Sequence, residues 1–159
     1  MAETPQIEFL AAEFDTGPGA TLLQAMRDEM RELYDGLEMD SDDMPRAGAP
    51  ELGPPSGALI VGWTDGKPVC VGGVKRLDAH SCEIKRMYVA PGWRGRGVAR
   101  ALLGELEATA RGLGYEIARL DTGPRQQGAR GLYESAGYAE IANFNANPVA
   151  SFWGEKSLH

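Results

Sequence analysis

The sequence gathers basic residues around one glycine-rich turn. Between positions 85 and 100 there are five bases and no acid: Lys85, Arg86, Arg94, Arg96 and Arg100. The turn reads Arg94-Gly95-Arg96-Gly97-Val98-Ala99 and lies between a strand-like run and a run with helical spacing. A helix N-terminus presents unpaired backbone N–H groups, and glycine lets a phosphate approach them closely. These residue types in this order predict a site for an anionic ligand.

Two common phosphate-binding loops do not fit this turn. Gly66-Lys67 is followed by Pro68 between two predicted strands, so the chain has no Walker loop. A dinucleotide fingerprint counted from Gly95 reaches Arg100 where it requires glycine or alanine. The three antiparallel strands expected before the turn also argue against a doubly wound parallel sheet.

Apolar spacing predicts the elements that position the turn. A strand over 6–14 precedes a helix whose apolar positions are Leu22, Met26, Met30, Leu33 and Leu37. Residues 38–57 lack periodicity and are rich in proline and glycine, which indicates a long loop. The remaining predicted elements are a hairpin of 58–63 and 69–74 around Asp65-Gly66, a strand over 82–89, a helix over 98–113, a strand over 115–120, a helix over 125–136, and strands over 138–142 and 149–156.

Two segments resemble the GNAT superfamily of acyl-CoA-dependent N-acyltransferases. Glu83 to Ala99 is similar to the family's strand and pyrophosphate loop, with Arg94-x-x-Gly97-x-Ala99 matching its Gln/Arg-x-x-Gly-x-Gly/Ala pattern. Gly131 to Tyr138 is similar to its Leu-Tyr-x-x-x-Gly-Phe/Tyr segment. The resemblance covers 58–157 well and 1–57 loosely. It implies a single α/β (α+β) domain over 1–159, with a mixed, mostly antiparallel sheet of about seven strands, flanked by helices and splayed at its central strands.

The resemblance also implies acetyl-CoA as co-substrate. Its pyrophosphate would lie on the backbone amides of 94–99, and its pantetheine arm would pair with the backbone of Met87 and Val89. The residues expected to bind it are Met87, Tyr88, Val89, Arg94, Gly95, Arg96, Gly97, Val98, Ala99, Thr122 and Gln126. The acetyl group would pass directly to an amine, so no nucleophilic cysteine is needed.

Glu83 and Tyr133 are the candidate catalytic residues. Strand alternation predicts that Glu83 shares a face with Lys85, Met87 and Val89, and the family often places its base at such a glutamate. Tyr133 matches the family's tyrosine whose hydroxyl faces the CoA sulfur, which makes it the candidate acid. Glu83 as a solvated strand residue and Tyr133 as a core residue stay open.

Composition narrows the function classes. The chain has 159 residues and a net charge of −7, which disfavours nucleic acid, and its apolar runs are too short for a bilayer. Cys70 and Cys82 are expected as core thiols in a reducing cytoplasm. His80 and His159 offer no metal-binding spacing, so no metal is expected. A homodimer is left open.

The acceptor is an unidentified amine of a small molecule or peptide. Residues 1–37, 38–57 and 58–159 carry net charges of −6, −4 and +3, so the acids precede the proposed cofactor half. The resemblance implies that acceptor specificity comes from 20–57 and 143–152. The acids of the loop over 38–57 either attract a cation or form a solvated surface. Two rival functions are a catalytically inactive CoA-binding or regulatory module and a nucleotide-binding protein.

Overall fold

The computed structural model describes residues 3–126 and 128–159. Seven strands and three α-helices follow one another along the chain. They are β1 (Glu8–Ala11), α1 (Gly17–Leu33), β2 (Ala58–Thr64), β3 (Lys67–Arg76), β4 (Ser81–Val89), α2 (Val98–Gly112), β5 (Ile117–Thr122), α3 (Ala129–Ser135), β6 (Ala139–Glu140) and β7 (Phe152–Ser157). A short 3₁₀ turn, Pro91–Trp93, separates β4 from the glycine-rich turn.

The strands form one mixed sheet with the order β1-β2-β3-β4-β5-β7-β6. Only the β4–β5 pair is parallel, and every other neighbouring pair is antiparallel. The parallel pairing covers only Ser81 to Glu83 of β4, opposite Ile117 to Arg119. Beyond Glu83, β4 continues for six residues while β5 diverges from it. The predicted mixed sheet, splayed at its central strands, is therefore confirmed.

Helices cover both faces of this sheet. On one face, α2 contributes Leu102, Leu103 and Leu106 to a core that also receives Tyr133 from α3. On the other face, α1 packs Leu22, Leu23, Met26 and Met30 against the sheet, as its apolar stripe predicts. The loop over 38–57 has no helix or strand, yet it buries Ala47 and Leu52 in the second core. It is a packed part of the fold.

Most predicted strands and helices differ from the observed ones by a few residues at their ends, and the last two strands are shorter than predicted, at Ala139–Glu140 and Phe152–Ser157. Three differences lie next to the candidate site or the N-terminal strand. The helix α1 ends at Leu33 rather than Leu37, because the chain turns at Asp35 and Gly36, both with positive φ. The pairing of β1 with β2 spans only 8–11, so that strand is shorter than 6–14. The helix α3 begins after Gly128, whose φ is 79°, whereas the helix was predicted from 125. Position 127 of that prediction lies outside the described residues.

The predicted β2–β3 hairpin is confirmed. Asp65 and Gly66 form its turn with φ values of 51° and 74°, the left-handed conformations that a two-residue hairpin turn requires. Within the described residues no helix has the length and apolar character needed to cross a membrane.

Candidate active site

A cleft of about 730 Å³, called the main cleft below, opens where β4 and β5 diverge. Its walls come from α1, the end of β4, the glycine-rich turn, the start of α2, and α3. Nine of the predicted cofactor-binding residues and the candidate acid line it: Met87, Tyr88, Val89, Arg94, Gly95, Gly97, Val98, Ala99, Gln126 and Tyr133. A cleft of this volume is of the usual size for an organic ligand.

The glycine-rich turn ends in an open helix N-terminus. Gly97 is the N-cap of α2 with φ 80°, and no side chain caps the helix there. The first backbone N–H groups of α2 lack partners within the helix and are available to an anion. A Cβ on Gly97 would collide with the hydroxyl of Thr4, so this position needs glycine for space as well as for conformation.

The five basic residues of 85–100 lie in three different surroundings. Arg94 and Arg100 line the main cleft, whereas Lys85 and Arg86 line a second, smaller pocket. Arg96 lines neither cavity, and its guanidinium stacks 4.5 Å above the Trp93 ring. The local excess of positive charge in the sequence is thus divided rather than concentrated at the glycine-rich turn.

Arg94 connects the turn to the elements beside it. Its Nε donates to the Val89 carbonyl at 2.8 Å, and its Nη2 donates to Glu29 Oε2 of α1 at 2.6 Å. Its guanidinium also lies 5.3 Å from the Tyr88 ring centre. Arg100, in contrast, donates to the neutral Ser135 hydroxyl at 2.6 Å. Arg94 therefore links the glycine-rich turn to β4 and α1. Of the two arginines that line the cleft, Arg100 is the one with an uncharged hydrogen-bond partner.

The two candidate residues at the end of β5 have different surroundings. Gln126 lines the main cleft, and its Oε1 accepts the Gly123 N–H at 2.8 Å. Thr122 is buried at 3% exposure and does not line the cleft. Its hydroxyl has no hydrogen-bond partner among the described residues.

Tyr133 lies where the two cavities meet. It lines the main cleft and also a pocket of about 70 Å³, called the small pocket below. Its hydroxyl is 3.8 Å from the Met87 sulfur. Burial raises the pKa of Tyr133, and the nearby charge of Asp121 adds to this increase. The hydroxyl therefore stays protonated at neutral pH, which a proton donor requires.

The small pocket is built from side chains that are distant in sequence. Five methionines line it: Met26 and Met30 of α1, Met39 and Met44 of the loop, and Met87 of β4. Its charged lining residues are Lys85, Arg86 and Asp121. Met26, Met30, Met87, Gln126 and Tyr133 belong to both cavities, so the two are contiguous.

Glu83 lies next to the small pocket but does not line it. Its side chain has 0% exposure, and its Oε2 contacts Lys85 Nζ at 3.2 Å and accepts from Asn145 Nδ2 at 2.9 Å. Its Oε1 has no hydrogen-bond partner among the described residues. Burial raises the pKa of Glu83, although Lys85 opposes that increase. An elevated carboxyl pKa is suited to accepting a proton near neutral pH.

The predicted common face of Glu83, Met87 and Val89 is wrong. A β-bulge opposite Gly72 places Arg86 at φ 59° and shifts the register between Val71 and Gly73. A bulge inserts one residue and so reverses the alternation beyond it. Met87 and Val89 consequently pack with the α2-side core that also holds Cys82 and Ile84. Glu83 points to the opposite face.

Arg86 fastens the loop over 38–57 to the sheet. Its side chain is 3% exposed and donates from Nη2 to Asp40 at 2.8 Å. Arg27 of α1 binds the other oxygen of Asp40 at 2.7 Å. Partial burial would raise the pKa of Asp40, but the charges of Arg86 and Arg27 lower it overall. This contact holds Met39 and Met44 over the small pocket.

Asp121 and Trp153 were not singled out from the sequence, and they meet Asn145 and Asn147 of the expected acceptor-side segment 143–152 at the polar end of the small pocket. Asn145 Nδ2 donates to Asp121 Oδ2 at 2.7 Å as well as to Glu83, and Asn147 Nδ2 donates to Asp121 Oδ2 at 2.9 Å. Trp153 Nε1 donates to Asn145 Oδ1 at 2.9 Å and so orients this amide. The asparagine-rich connection over 143–148 was the only available signal, and it does not reveal which strands it contacts.

Both cysteines are buried, and their thiols are free. Burial raises the pKa of Cys70 to about 11 and that of Cys82 to about 12. Neither thiol ionises readily at neutral pH, which makes them poor nucleophiles. Within the described ranges, no group of three or more His, Cys, Asp or Glu side chains is arranged for a metal ion.

Known proteins that resemble this chain are named as acetyltransferases. The chain is 39% identical over 79 residues to an IAA acetyltransferase of Azospirillum brasilense, covering 48% of this chain and 51% of that protein. The chain spans about half the length, or less, of the curated relatives it matches. A GNAT family acetyltransferase structure from Staphylococcus aureus superposes with a TM-score of 0.76 at 17% identity, covering 97% of this chain and 100% of the other.

A second structure, a GNAT family acetyltransferase from Elizabethkingia anophelis with acetyl-CoA bound, gives a TM-score of 0.68 at 18% identity, covering 95% and 97% of the two chains. At these identities the two structures show the shared fold. The family model for the GNAT acetyltransferases matches residues 20–138, more than half of the chain. The chain therefore belongs to the GNAT acetyltransferase family.

Proposed function

We propose that the protein transfers an acetyl group from acetyl-CoA to a primary amine. The observation that carries this proposal is the junction at Tyr133, where a long cleft with an anion-binding end meets a second pocket. A two-substrate transfer requires two such sites that open onto the same point. Two comparisons support acetyl-CoA as the co-substrate. The GNAT family model matches residues 20–138, and one structure with the same fold has acetyl-CoA bound.

The residues of the main cleft fit an acyl-CoA. The first N–H groups of α2 and the glycines before them suit its pyrophosphate. Beyond Glu83, β5 no longer pairs with β4. The backbone groups of Met87 and Val89 on this unpaired edge suit the pantetheine amides. Arg94 already occupies the Val89 carbonyl, so its side chain must share or release this contact when the cofactor binds.

In the proposed chemistry the amine nitrogen loses two protons and the thiolate gains one. The ammonium first loses one proton, the neutral amine attacks the thioester carbonyl, the new C–N bond forms, and the C–S bond breaks. Tyr133 donates its hydroxyl proton to the departing thiolate, and the second proton, which the nitrogen loses as the amide forms, restores the Tyr133 hydroxyl. Glu83 takes the proton that the ammonium loses before attack, through a water molecule because its buried carboxylate does not reach either cavity.

The proposal is tested by following thiol release from acetyl-CoA in the presence of a panel of primary amines. We expect amine-dependent release, with the acetylated amine detected by mass spectrometry in equal amount. Tight CoA binding without amine-dependent release from any member of a broad panel would instead indicate an inactive CoA-binding module. Absence of CoA binding by calorimetry would favour a different anionic ligand.

We also propose a reducing, cytoplasmic location. The support is the pair of buried free thiols at Cys70 and Cys82. Fractionation of cells that express the protein at native level tests it. The homodimer stays a prediction that sedimentation equilibrium can check.

A further inference from the structure

The small pocket contains one charged group whose charge no partner neutralises. Asp121 receives two hydrogen bonds on Oδ2, both from neutral amides, Asn145 at 2.7 Å and Asn147 at 2.9 Å. The structure gives Asp121 no ion pair among the described residues. The pocket's two cations, unlike Asp121, each have a charged partner: Lys85 is paired with Glu83 and Arg86 with Asp40.

This arrangement determines which charges the pocket can accept. A positively charged group placed beside Asp121 gains a partner, whereas a carboxylate would find both cations already engaged. The amides of Asn145 and Asn147 fix the orientation of the aspartate without cancelling its charge. The pocket therefore selects for an ammonium and against an acidic group.

Most of the remaining lining is apolar and adaptable. Five methionines together with Ile84, Pro45 and Val149 line the pocket, beside the polar Gln126 and Tyr133. Its volume of about 70 Å³ suits a small group. Methionine is flexible and polarizable, so such a lining adapts to small aliphatic groups of different shape.

We propose that Asp121 binds the ammonium of the acceptor, and that the acceptor is a primary amine on a small aliphatic group with no carboxylate beside the nitrogen. This inference rests on the proposed function, because it takes the bound amine to be the acceptor of the acetyl group. It assigns Asp121 a contact with substrate, while Asn145 and Asn147 are positioning residues that hold the carboxylate.

Asp121 is better placed for this contact than Glu83. Asp121 is partly exposed and lines the pocket that contains Tyr133, whereas Glu83 is fully enclosed. Asn145 bonds both carboxylates through the same amide nitrogen. Ammonium binding and proton acceptance are thus assigned to neighbouring side chains that one asparagine holds together.

The first test uses the unmodified enzyme and two probes of the same chain. n-Pentylamine and norleucine differ only by the carboxylate next to the amine. We expect kcat/KM for n-pentylamine to exceed that for norleucine by at least about 30-fold, the effect of an unpaired charge in a buried site. An equal or inverted ratio would overturn the inference.

The second test replaces Asp121 with asparagine, which keeps an oxygen for the amides of Asn145 and Asn147. We expect Asp121→Asn to lower kcat/KM for n-pentylamine at least about 30-fold with the CoA dissociation constant unchanged, which shows that the variant is folded. Glu155→Gln is the matched control, because Glu155 lies on the neighbouring strand β7 and pairs with Arg119 outside the pocket. Its kcat/KM is expected to stay within twofold.

A binding measurement separates the two proposals. Calorimetry of n-pentylamine with the CoA-saturated protein requires no turnover, and Asp121→Asn should abolish the binding. Normal transfer to n-pentylamine by Asp121→Asn overturns the role of Asp121 and leaves the proposed function intact. Asp121-dependent binding without any transfer overturns the proposed function and leaves the ammonium site intact.

Discussion

The main cleft and the small pocket differ in how they are built. The proposed cofactor end of the main cleft comes from one continuous segment, β4 through the start of α2, and offers mainly backbone N–H groups. The small pocket collects side chains from α1, the loop over 38–57, β4, β5, α3 and the asparagine-rich connection. The first surface depends on chain conformation, whereas the second depends on which side chains meet.

The two cavities are therefore expected to respond differently to side-chain substitutions. A backbone site survives side-chain replacement as long as its glycines and helix start are kept. A site made of side chains from six segments changes when a lining side chain in any one of them is replaced. We therefore expect changes in the main cleft to act on the cofactor, and changes around the small pocket to act on the acceptor.

The largest effect is expected from Gly97→Asp. The new Cβ would collide with Thr4, the residue would be held at a φ of 80°, and the carboxylate would face the proposed pyrophosphate. CoA affinity measured by calorimetry should fall by more than about 100-fold. Gly104→Asp is the matched control, because Gly104 is exposed on the same helix with free space around it. Equal CoA affinity in both variants would contradict the placement of the cofactor.

Tyr133→Phe tests the junction of the two cavities. Loss of a general acid should lower kcat by about 100-fold while the CoA dissociation constant stays the same. Tyr138→Phe is the control, since the Tyr138 hydroxyl donates to buried Glu107 at 2.8 Å and has no place in the cleft. It should cost about 2 kcal/mol of unfolding free energy, because the acceptor is a buried carboxylate, and leave kcat within twofold. A wild-type kcat for Tyr133→Phe would exclude the acid role.

Glu83→Gln tests whether Glu83 accepts the proton that the ammonium loses. Burial raises the pKa of Glu83, so its proton-accepting carboxylate form is lost as the pH falls through that raised value. Wild-type kcat/KM should therefore decline on the acid side at a higher pH than an ordinary glutamate would give. The variant should lose about tenfold in kcat/KM and lack this acid limb. An unchanged pH profile would remove Glu83 from the mechanism.

The smallest effect is expected from Asp40→Asn, which weakens the attachment of the loop to Arg86. Met39 and Met44 should then move more freely over the small pocket, raising the acceptor KM by about threefold without changing CoA affinity. Asp42→Asn, an exposed change in the same loop, should leave both constants unchanged. A change in CoA affinity for Asp40→Asn would show that the two cavities are not independent.

The parts of the fold that could be predicted are those with local causes. Asp65-Gly66 fixes a hairpin turn through its own backbone preferences, and the spacing of Leu22, Met26 and Met30 marks one face of α1. The face of Glu83 could not be predicted, because a bulge at Arg86 reverses the alternation. That bulge reflects pairing with β3 rather than the sequence of β4 alone.

The glycine-rich turn, its basic flank and the helix that follows could be identified from the sequence alone, because conformational freedom and helix capping act over a few neighbouring residues. Packing of the fold, in contrast, places Lys85 and Arg86 in the small pocket, where they pair with Glu83 and Asp40. It also decided that Asp121 keeps an unneutralised charge beside Tyr133. Such pairings depend on side chains far apart in sequence, and these meet only when the sheet and its loops are packed.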